Sequence, residues 1–445
     1  VTYRELERLA DKLYSKINRR CLLFCLCDNS LGSLIGYVSF LKNKVVPLLI
    51  DKDLNNDLLR SLLDCYKPEY LYLPGSLMDR FTDFDVIYAV NNYVLVKTNY
   101  GVNYPLFDEL ALLLTTSGST ASPKFVRQSY KNISSNAKAI ATYLNLTETE
   151  KPITTLPMSY TYGLSIINSH LLVGSTILLT SKALTEKRFW EFTREQGATS
   201  FSGVPYTYEI LKKLRFFRME LPSINTMTQA GGKLTPELTK EFAEFSESRN
   251  MRFFVMYGQT EATARMSYLP HQHALSKCGS MGIAIPGGEF SLVDDNGGVI
   301  DSSNTVGELV YKGDNVTLGY AECGEDLSKG DERGGVLVTG DMAKHDSDGF
   351  YYITGRKKRF IKLYGNRINL DEAERLIKSM TPDCACAGQD DHMLIYITEA
   401  GRELDVRQFI SGKTGINSAA FEVKVITEIP KNEAGKTVYM KLGGI

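Results

Sequence analysis

Over roughly its first hundred residues the sequence alternates between short apolar runs and amphipathic stretches with helical spacing. Leu6, Leu9 and Leu13 recur at helical intervals, and the apolar run over 21–27 that follows them has the length of a buried strand. The succession continues with a helix over 31–41, a strand over 45–50, a helix over 54–65 and a strand over 70–73. Such alternation predicts an α/β fold in which helices cover the faces of a parallel sheet.

The alternation extends beyond residue 100 and changes near residue 280. Its later members are predicted helices over 132–144 and 188–196 and predicted strands over 176–180 and 253–256. Short strands with an Asp-Asn-Gly turn signal at 295–297 then predict a β-rich subdomain. We therefore expect a large N-terminal α/β domain over 1–357, with the β-rich subdomain at about 280–357, and a small mobile α+β C-terminal domain over 358–445.

Charge and cysteine content narrow the classes of function. The 445 residues include 51 Lys and Arg against 52 Asp and Glu, which argues against binding to nucleic acid or an anionic membrane by bulk charge. No apolar run approaches the roughly 18 residues of a membrane-spanning helix, and no charged-then-apolar leader opens the sequence. The eight Cys lack the spacing of a zinc site. We expect a cytoplasmic protein without a membrane span.

The segment over 112–124 is a candidate phosphate-binding loop. It reads Leu-Leu-Leu-Thr-Thr-Ser-Gly-Ser-Thr-Ala-Ser-Pro-Lys, and small hydroxyl residues with Gly allow backbone N–H groups to approach a polyphosphate. A Walker loop would contain Gly-Lys-Ser/Thr and open a helix. Here the residues after Pro123 alternate like a returning strand over 125–129, which places the loop on a hairpin. Alone, the segment is equally consistent with an ordinary turn between strands.

Residues 257–261 read Tyr-Gly-Gln-Thr-Glu and follow the apolar run over 253–256. An aromatic ring, a hydroxyl and a carboxylate at a strand end can stack on a base, contact a phosphate and hold Mg²⁺. A helical N-terminal turn is the simpler interpretation of this motif by itself.

Three further motifs lie nearer the C-terminus. Asp341, predicted at a strand end, suits ribose hydroxyls, although an Asp in a turn has the same pattern. Six of the thirteen residues over 355–367 are basic, a pattern that is usually a solvated face. Lys436 follows Gly435 on a short loop and could reach a site on another domain, or be an ordinary tail lysine.

The order and spacing of these motifs resemble those of the adenylate-forming (AMP-binding) superfamily, which includes acyl- and aryl-CoA synthetases, adenylation domains of peptide synthetases and luciferases. The resemblance covers essentially residues 2–442. Further matching segments lie at 2–6, 156–164, 230–234, 307–309 and 318–320.

The resemblance implies ATP-dependent activation of a carboxylic acid as an acyl-adenylate, with Mg²⁺. The implied ligands of ATP are Thr115, Thr116, Ser117, Gly118, Ser119, Thr120 and Lys124 for the phosphates, Gly231, Gly232 and Tyr257 for adenine, and Asp341 and Arg356 for the ribose. The remaining implied roles are Thr260 at the α-phosphate, Glu261 on Mg²⁺, Tyr160, Gly203 and Tyr206 at the acid, Lys358 at a hinge, and Lys436 in catalysis of adenylation.

The acyl acceptor and the acid are less constrained. We expect CoA as acceptor, with the phosphopantetheine arm of a carrier protein as the alternative, and the basic run over 355–367 suits either CoA phosphates or an acidic carrier helix. Neither 156–164 nor 202–206 contains an Asp or Glu to pair with an ammonium, which predicts an uncharged acyl or aryl chain. Ala121 stands where the family usually has Gly; strain there would favour a non-catalytic adenylate-binding protein.

Overall fold

The structure is a computed structural model that describes residues 1–115, 124–364, 366–389, 391–432 and 435–442. Its strands in chain order are β1 (Leu22–Cys27), β2 (Val46–Asp51), β3 (Tyr70–Pro74), β4 (Asp85–Val90), β5 (Tyr93–Lys97), β6 (Leu110–Thr115), β7 (Phe125–Ser129), β8 (Ser200–Gly203), β9 (Thr226–Gln229), β10 (Arg252–Tyr257), β11 (Ser267–Leu269), β12 (Ile283–Ala284), β13 (Gly288–Val293), β14 (Gly307–Gly313), β15 (Gly319–Ala321), β16 (Val336–His345), β17 (Tyr351–Arg356), β18 (Phe360–Leu363), β19 (Asn366–Asn369), β20 (Cys384–Gln389), β21 (His392–Ile397) and β22 (Phe421–Val425).

The α-helices among the same described residues are α1 (Tyr3–Tyr14), α2 (Leu31–Lys42), α3 (Asn56–Tyr66), α4 (Tyr130–Leu144), α5 (Thr161–Leu172), α6 (Lys187–Glu195), α7 (Pro205–Lys213), α8 (Pro236–Ser248), α9 (Leu370–Ile377) and α10 (Glu403–Thr414). None of them is long and apolar enough to cross a membrane.

The first sheet has the strand order β15-β7-β6-β2-β1-β3-β5-β4. Its inner strands β6, β2, β1 and β3 are parallel, as predicted, whereas β7, β15, β5 and β4 pair antiparallel. Every residue of β1 is buried because both faces of the sheet are covered. Leu23 and Cys25 pack in the cluster that contains α1 and α2, and Phe24 and Leu26 pack in the cluster that contains α3.

The second sheet has the order β12-β11-β10-β9-β8, with β8, β9 and β10 parallel. Phe253 of β10 packs with Phe242 of α8 on one face, while Phe254 and Met256 pack with Ile140 of α4 on the other. These two covered sheets confirm the predicted α/β class.

The strand predicted over 176–180 is wrong. Leu178 makes only an isolated bridge to Ile153. The partner segment lies between Pro152 and Pro157, and proline has no N–H to extend a ladder.

The contacts divide the chain into two compact units, Val1–Glu289 with Lys312–Leu337, and Phe290–Tyr311 with Val338–Ile445. The second unit contains a three-stranded sheet of order β20-β21-β22, the hairpin β18–β19, and helices α9 and α10. The four-stranded sheet β13-β14-β16-β17 lies within the stretch for which short strands were predicted. The predicted division at Lys358 concerns a hinge and stays a prediction.

Candidate functional site

In the first unit, three parallel strands bring predicted site residues to one edge of the second sheet. Gly203 at the end of β8 pairs in register with Gln229 at the end of β9, and β10 runs alongside to Tyr257. Because the carboxyl ends of parallel strands share one edge, the segments that follow Gly203, Gln229 and Tyr257 begin side by side.

The turn after β9 is shaped by a glycine. Gly231 has φ of +84°, and a Cβ there would lie 2.7 Å from the Tyr160 hydroxyl and 3.0 Å from Val204 Cγ1. The buried side-chain amide of Gln229 donates a hydrogen bond to the Gly232 carbonyl at 2.8 Å, and this contact stabilises the turn. A side chain at Gly231 would therefore be both strained and obstructed.

Tyr160 and Gly203, both predicted at the acid, border this turn. Burial raises the pKa of Tyr160 to about 12, so its hydroxyl stays protonated at neutral pH. A Cβ at Gly203 would lie 2.6 Å from Thr207 Cγ2, so this position admits only glycine without a shift of α7. Tyr206 is 50% exposed and contributes no buried wall.

The predicted phosphate loop connects β6 to β7. Thr115 at the end of β6 pairs with Phe125 at the start of β7, so the hairpin prediction is confirmed for the strands. Six loop residues of the prediction lie outside the described residues: Thr116, Ser117, Gly118, Ser119, Thr120 and Ala121.

A group of charged side chains surrounds Tyr320 beside this hairpin. Tyr320 lies on β15 and pairs with Val126 of β7. The Lys124 ammonium lies 3.8 Å from the centre of the Tyr320 ring and the Arg333 guanidinium carbon lies 4.6 Å from it. Two cations over one ring are stabilised by its negative π-face. Lys124 also lies 3.9 Å from a carboxylate oxygen of Glu322.

Glu261 belongs to the same group. The Tyr320 hydroxyl donates to Glu261 Oε1 at 2.8 Å. Burial, and then the Glu261 carboxylate, raises the pKa of Tyr320 to about 12, so Tyr320 remains a donor. The Glu261 carbonyl accepts bonds from the Thr317 backbone N–H at 3.0 Å and from Arg333 at 3.1 Å. The backbone of the short helical turn Thr260–Ala262 is thereby fixed, and Thr260 is buried in it.

The second unit contains the predicted ribose residue. Asp341 is buried and pairs with Arg356 Nε at 2.6 Å across the antiparallel register of β16 and β17. The predicted placement of Asp341 at a strand end is wrong, since β16 runs from Val336 to His345. The predicted turn is instead a local irregularity within the strand: Gly340 has φ of +71°, the register shifts after Met342, and β16 continues on both sides.

Half of the basic residues over 355–367 are paired inside the second unit. Arg356 pairs with Asp341, Lys357 with Glu308 at 2.7 Å, and Arg359 with both Asp371 and Glu374 at 2.5 Å. Three of the six cations over 355–367 therefore have carboxylate partners, and the side chain of Lys358 lies outside the described residues.

Lys436 lies on a tight loop whose flank is anchored in the core. Its backbone N–H donates to Asn432 Oδ1 at 2.9 Å, and Gly435 has φ of +73°. Three residues further on, the Tyr439 ring lies 3.7 Å from the Arg359 guanidinium carbon, and its hydroxyl donates to Glu374 Oε2 at 3.0 Å.

Sequence reasoning assigned no role to several residues that complete these sites: Gln229, Arg265, Tyr320, Arg333, Glu374 and Tyr439. Of these residues, only Tyr320 lies in a segment that the sequence analysis had matched to the family, at 318–320.

Comparison with known proteins adds independent findings. A family model described as AMP-binding enzyme matches residues 1–321. An oxalate–CoA ligase of Arabidopsis thaliana is 28% identical over 311 residues, which span 69% of this chain and 59% of that protein. A 2-succinylbenzoate–CoA ligase of Listeria monocytogenes serotype 4b is 25% identical over 432 residues, 90% of this chain and 89% of that protein. A solved O-succinylbenzoate coenzyme A synthetase from Bacillus subtilis, in complex with ATP and a magnesium ion, has a TM-score of 0.77 at 21% identity, over 99% of this chain and 93% of that chain.

Proposed function

Because this chain belongs to the family of AMP-binding enzymes, we propose that it is an AMP-forming acid–CoA ligase. It joins a carboxylic acid to ATP as an acyl-adenylate and then transfers the acyl group to the thiol of CoA. The observation that carries this proposal is the group of Lys124, Arg333, Tyr320 and Glu261 beside the phosphate-loop hairpin. Both curated relatives cited above are named as CoA ligases.

The chemistry proceeds in two displacements. A carboxylate oxygen of the acid attacks the α-phosphorus of ATP, the new P–O bond forms, and the bond to pyrophosphate breaks. The CoA thiolate then attacks the carbonyl carbon, and AMP leaves with the bonding pair. The first step brings two anions together, so it requires preorganised positive charge, for which we propose Lys124, Arg333 and Lys436.

The donor set fits a nucleotide-bound magnesium ion. Mg²⁺ at such sites usually takes one or two protein carboxylates and completes its shell with phosphate and water. Glu261 supplies one carboxylate, already oriented through Oε1 by Tyr320. When bound, Mg²⁺ offsets negative charge on the phosphates.

The remaining roles follow the sequence prediction. We assign adenine to the turn at Gly231 and Gly232 with Tyr257, the α-phosphate to Thr260, and the ribose to Asp341 with Arg356. Lys436 stabilises the adenylation transition state, and Lys358 is the hinge about which the small domain turns between the two steps.

CoA is the proposed acceptor, in preference to a carrier protein. This preference is supported by the two curated relatives cited above, both of which are named CoA ligases. The basic run over 355–367 does not separate the two acceptors, because the internal pairing of three of its cations applies to CoA phosphates as much as to an acidic carrier helix. We place the reaction in the cytoplasm, which agrees with eight free thiols.

Acid-dependent exchange of labelled pyrophosphate into ATP tests the proposal. Purified protein with Mg²⁺ is assayed over a panel of aliphatic, aryl and amino acids, and CoA thioesters are then measured by mass spectrometry. We expect exchange that requires both acid and Mg²⁺. Binding of ATP without exchange for any acid would instead identify a non-catalytic adenylate-binding protein.

A further inference from the structure

Arg265 is a buried cation in the first unit, four residues after Glu261 and just before β11. It is 2% exposed. Its Nε donates to Ser165 Oγ at 3.1 Å and its Nη1 to the Tyr143 hydroxyl at 3.0 Å. The guanidinium carbon lies 5.1 Å from the centre of the Tyr162 ring. These partners, with Met256 Sδ at 3.5 Å from Nη1, are all uncharged.

The positive charge of Arg265 has no counter-ion in the described parts of the chain, where no carboxylate lies within 4.0 Å of it. The positive charge of Arg265 opposes the effect of burial on the pKa of Tyr143 and of Tyr162, and it adds to the effect of burial on the pKa of His170. Burial, and then the charge of Arg265, lowers the pKa of His170 to about 4, so this imidazole is neutral at pH 7. Nothing among these groups supplies negative charge.

Other largely buried arginines differ in this respect. Arg127 pairs with Glu332 at 2.5 Å, and Arg359 pairs with Glu374 at the same distance. A buried charge without a partner is strongly destabilising, so such a group is retained where it has a function.

The backbone holds Arg265 in place at some strain. Thr263 has φ of +57° and Ala264 has φ of +118°, a region that side-chain-bearing residues rarely adopt. The amide of Asn136 donates to the Arg265 carbonyl at 2.8 Å, and that of Asn315 does so at 3.3 Å. Strained backbone fixed by buried side chains is a common feature of binding sites.

The position of Arg265 relates it to the acid rather than to the phosphates. The Tyr162 ring beside it lies 6.4 Å from the Tyr160 ring, whose hydroxyl borders Gly231. Its partners are on α4, α5 and β10, within the apolar cluster that includes Val204 and Ala230. The cations at the phosphate loop instead lie at β7 and after β15.

We propose that Arg265 binds a second, distal carboxylate of the acid, so that the substrates of this enzyme are dicarboxylic acids. The proposal rests on the proposed ligase function and names the substrate class of the same site. It replaces the expectation of an uncharged chain, which considered only residues 156–164 and 202–206; Arg265 lies outside both segments. A guanidinium matches a carboxylate with two parallel N–H donors.

Matched acid pairs test this assignment. Pyrophosphate exchange is compared for succinate and butyrate, glutarate and valerate, and phthalate and 2-methylbenzoate, which differ by a methyl group in place of the distal carboxylate. We expect kcat/KM for at least one dicarboxylate to exceed that of its methyl partner by about a hundredfold or more, because the partner leaves a buried charge unpaired. Arg265→Met should abolish this preference, and Arg265→Lys should retain part of it.

The control is Arg252→Met, on β10. Arg252 bonds the Leu144 carbonyl and has Glu150 at 4.0 Å, so its loss should lower stability and leave the ratio between paired acids unchanged. Melting temperature gives a readout independent of turnover. Arg265→Met should melt at or above the parent, and millimolar succinate, glutarate or phthalate should raise the melting temperature of the parent but not of the variant.

The outcomes separate the two proposals. Exchange with monocarboxylates as fast as with their dicarboxylate partners, unchanged by Arg265→Met, would overturn the assignment of Arg265 and leave the ligase proposal standing. Dicarboxylate stabilisation that needs Arg265, without exchange for any acid, would overturn the ligase activity and keep the binding site. Absence of both would overturn both.

Discussion

Charged side chains gather around one aromatic ring beside the predicted phosphate loop. The Lys124 ammonium and the Arg333 guanidinium lie over the ring of Tyr320, and the Tyr320 hydroxyl donates a hydrogen bond to the Glu261 carboxylate. The sequence separates Glu261 from Tyr320 by 59 residues, so no local pattern indicates that they are partners. Residue-scale predictions therefore concern where charge is placed and what it contacts.

Lys436→Ala tests the assigned catalytic lysine. We expect acyl-adenylate formation to fall by about a hundredfold or more, the magnitude for loss of one preorganised charge stabiliser. Thioester formation from supplied acyl-adenylate should continue. Lys441→Ala removes an exposed lysine from the same segment and should change neither step. An equal fall of both half-reactions in Lys436→Ala would refute the assigned role.

His170 predicts a specific acid sensitivity. Nδ1 lies 2.8 Å from the Ile166 carbonyl and so carries the proton, while the buried Nε2 has no hydrogen-bond partner in the part of the chain that the structure describes. The native pKa of about 4 lies below the ordinary 6.5. Between pH 6.5 and pH 4 the imidazole is protonated in the unfolded chain but stays neutral in the native state. The free energy of unfolding therefore decreases as the pH falls from 6.5 towards 4.

This loss amounts to about 2 kcal/mol between pH 7 and pH 5. Urea titrations at the two pH values measure it. His170→Gln should reduce the difference between the free energies of unfolding at pH 7 and pH 5 by that amount. His273→Gln, at an exposed position, should leave this difference unchanged. A parent and His170→Gln with the same pH dependence would show that His170 is not its source.

At the scale of elements, sequence reasoning succeeded where a segment is determined by its own burial. The run in β1 was predictable because both of its faces are covered, and the hairpin β6–β7 because the residues over 125–129 alternate like a strand that returns beside the apolar run before the loop. Sequence reasoning failed where contacts with distant segments determine whether a strand forms or continues. The segment at 176–180 lacks a long partner, and Asp341 continues a strand because Arg356 faces it.

The same limit applies to the candidate site. Motif residues such as Glu261 and Lys436 could be assigned by resemblance, since each lies in a short recognisable segment. The contacts of Arg265 come from α4, α5 and β10, which are far apart in sequence. Neither its burial nor the absence of a carboxylate beside it among the described residues could therefore be predicted.

The segment that carries Lys436 depends on Tyr439. Tyr439→Phe keeps the ring over Arg359 but removes the donor to Glu374, a buried carboxylate whose pKa burial raises. We expect a loss of about 1–3 kcal/mol in local stability. Amide hydrogen exchange should accelerate over 435–442 more than in α9. Tyr364→Phe, at an exposed ring, should leave exchange unchanged, and an equally protected segment in Tyr439→Phe would contradict the anchor.

At the scale of the whole molecule, we propose that the two half-reactions use different arrangements of the small domain about Lys358. Lys358→Pro would fix φ near −65° at the proposed hinge and favour one arrangement. Adenylation and thioester formation should then change by different factors. Lys358→Ala, which removes the same side chain without a φ restriction, serves as the comparison. Rates for both steps equal to those of the parent in Lys358→Pro would refute the hinge.

The identity and stoichiometry of the nucleotide product test the central claim most directly. Purified enzyme is incubated with ATP, Mg²⁺, CoA and the best acid from the exchange panel, and nucleotides, pyrophosphate and thioester are quantified together. The proposed reaction predicts one AMP and one pyrophosphate for each thioester formed, because cleavage occurs at the α-phosphorus. Release of ADP and phosphate, or thioester formation without AMP, would contradict it.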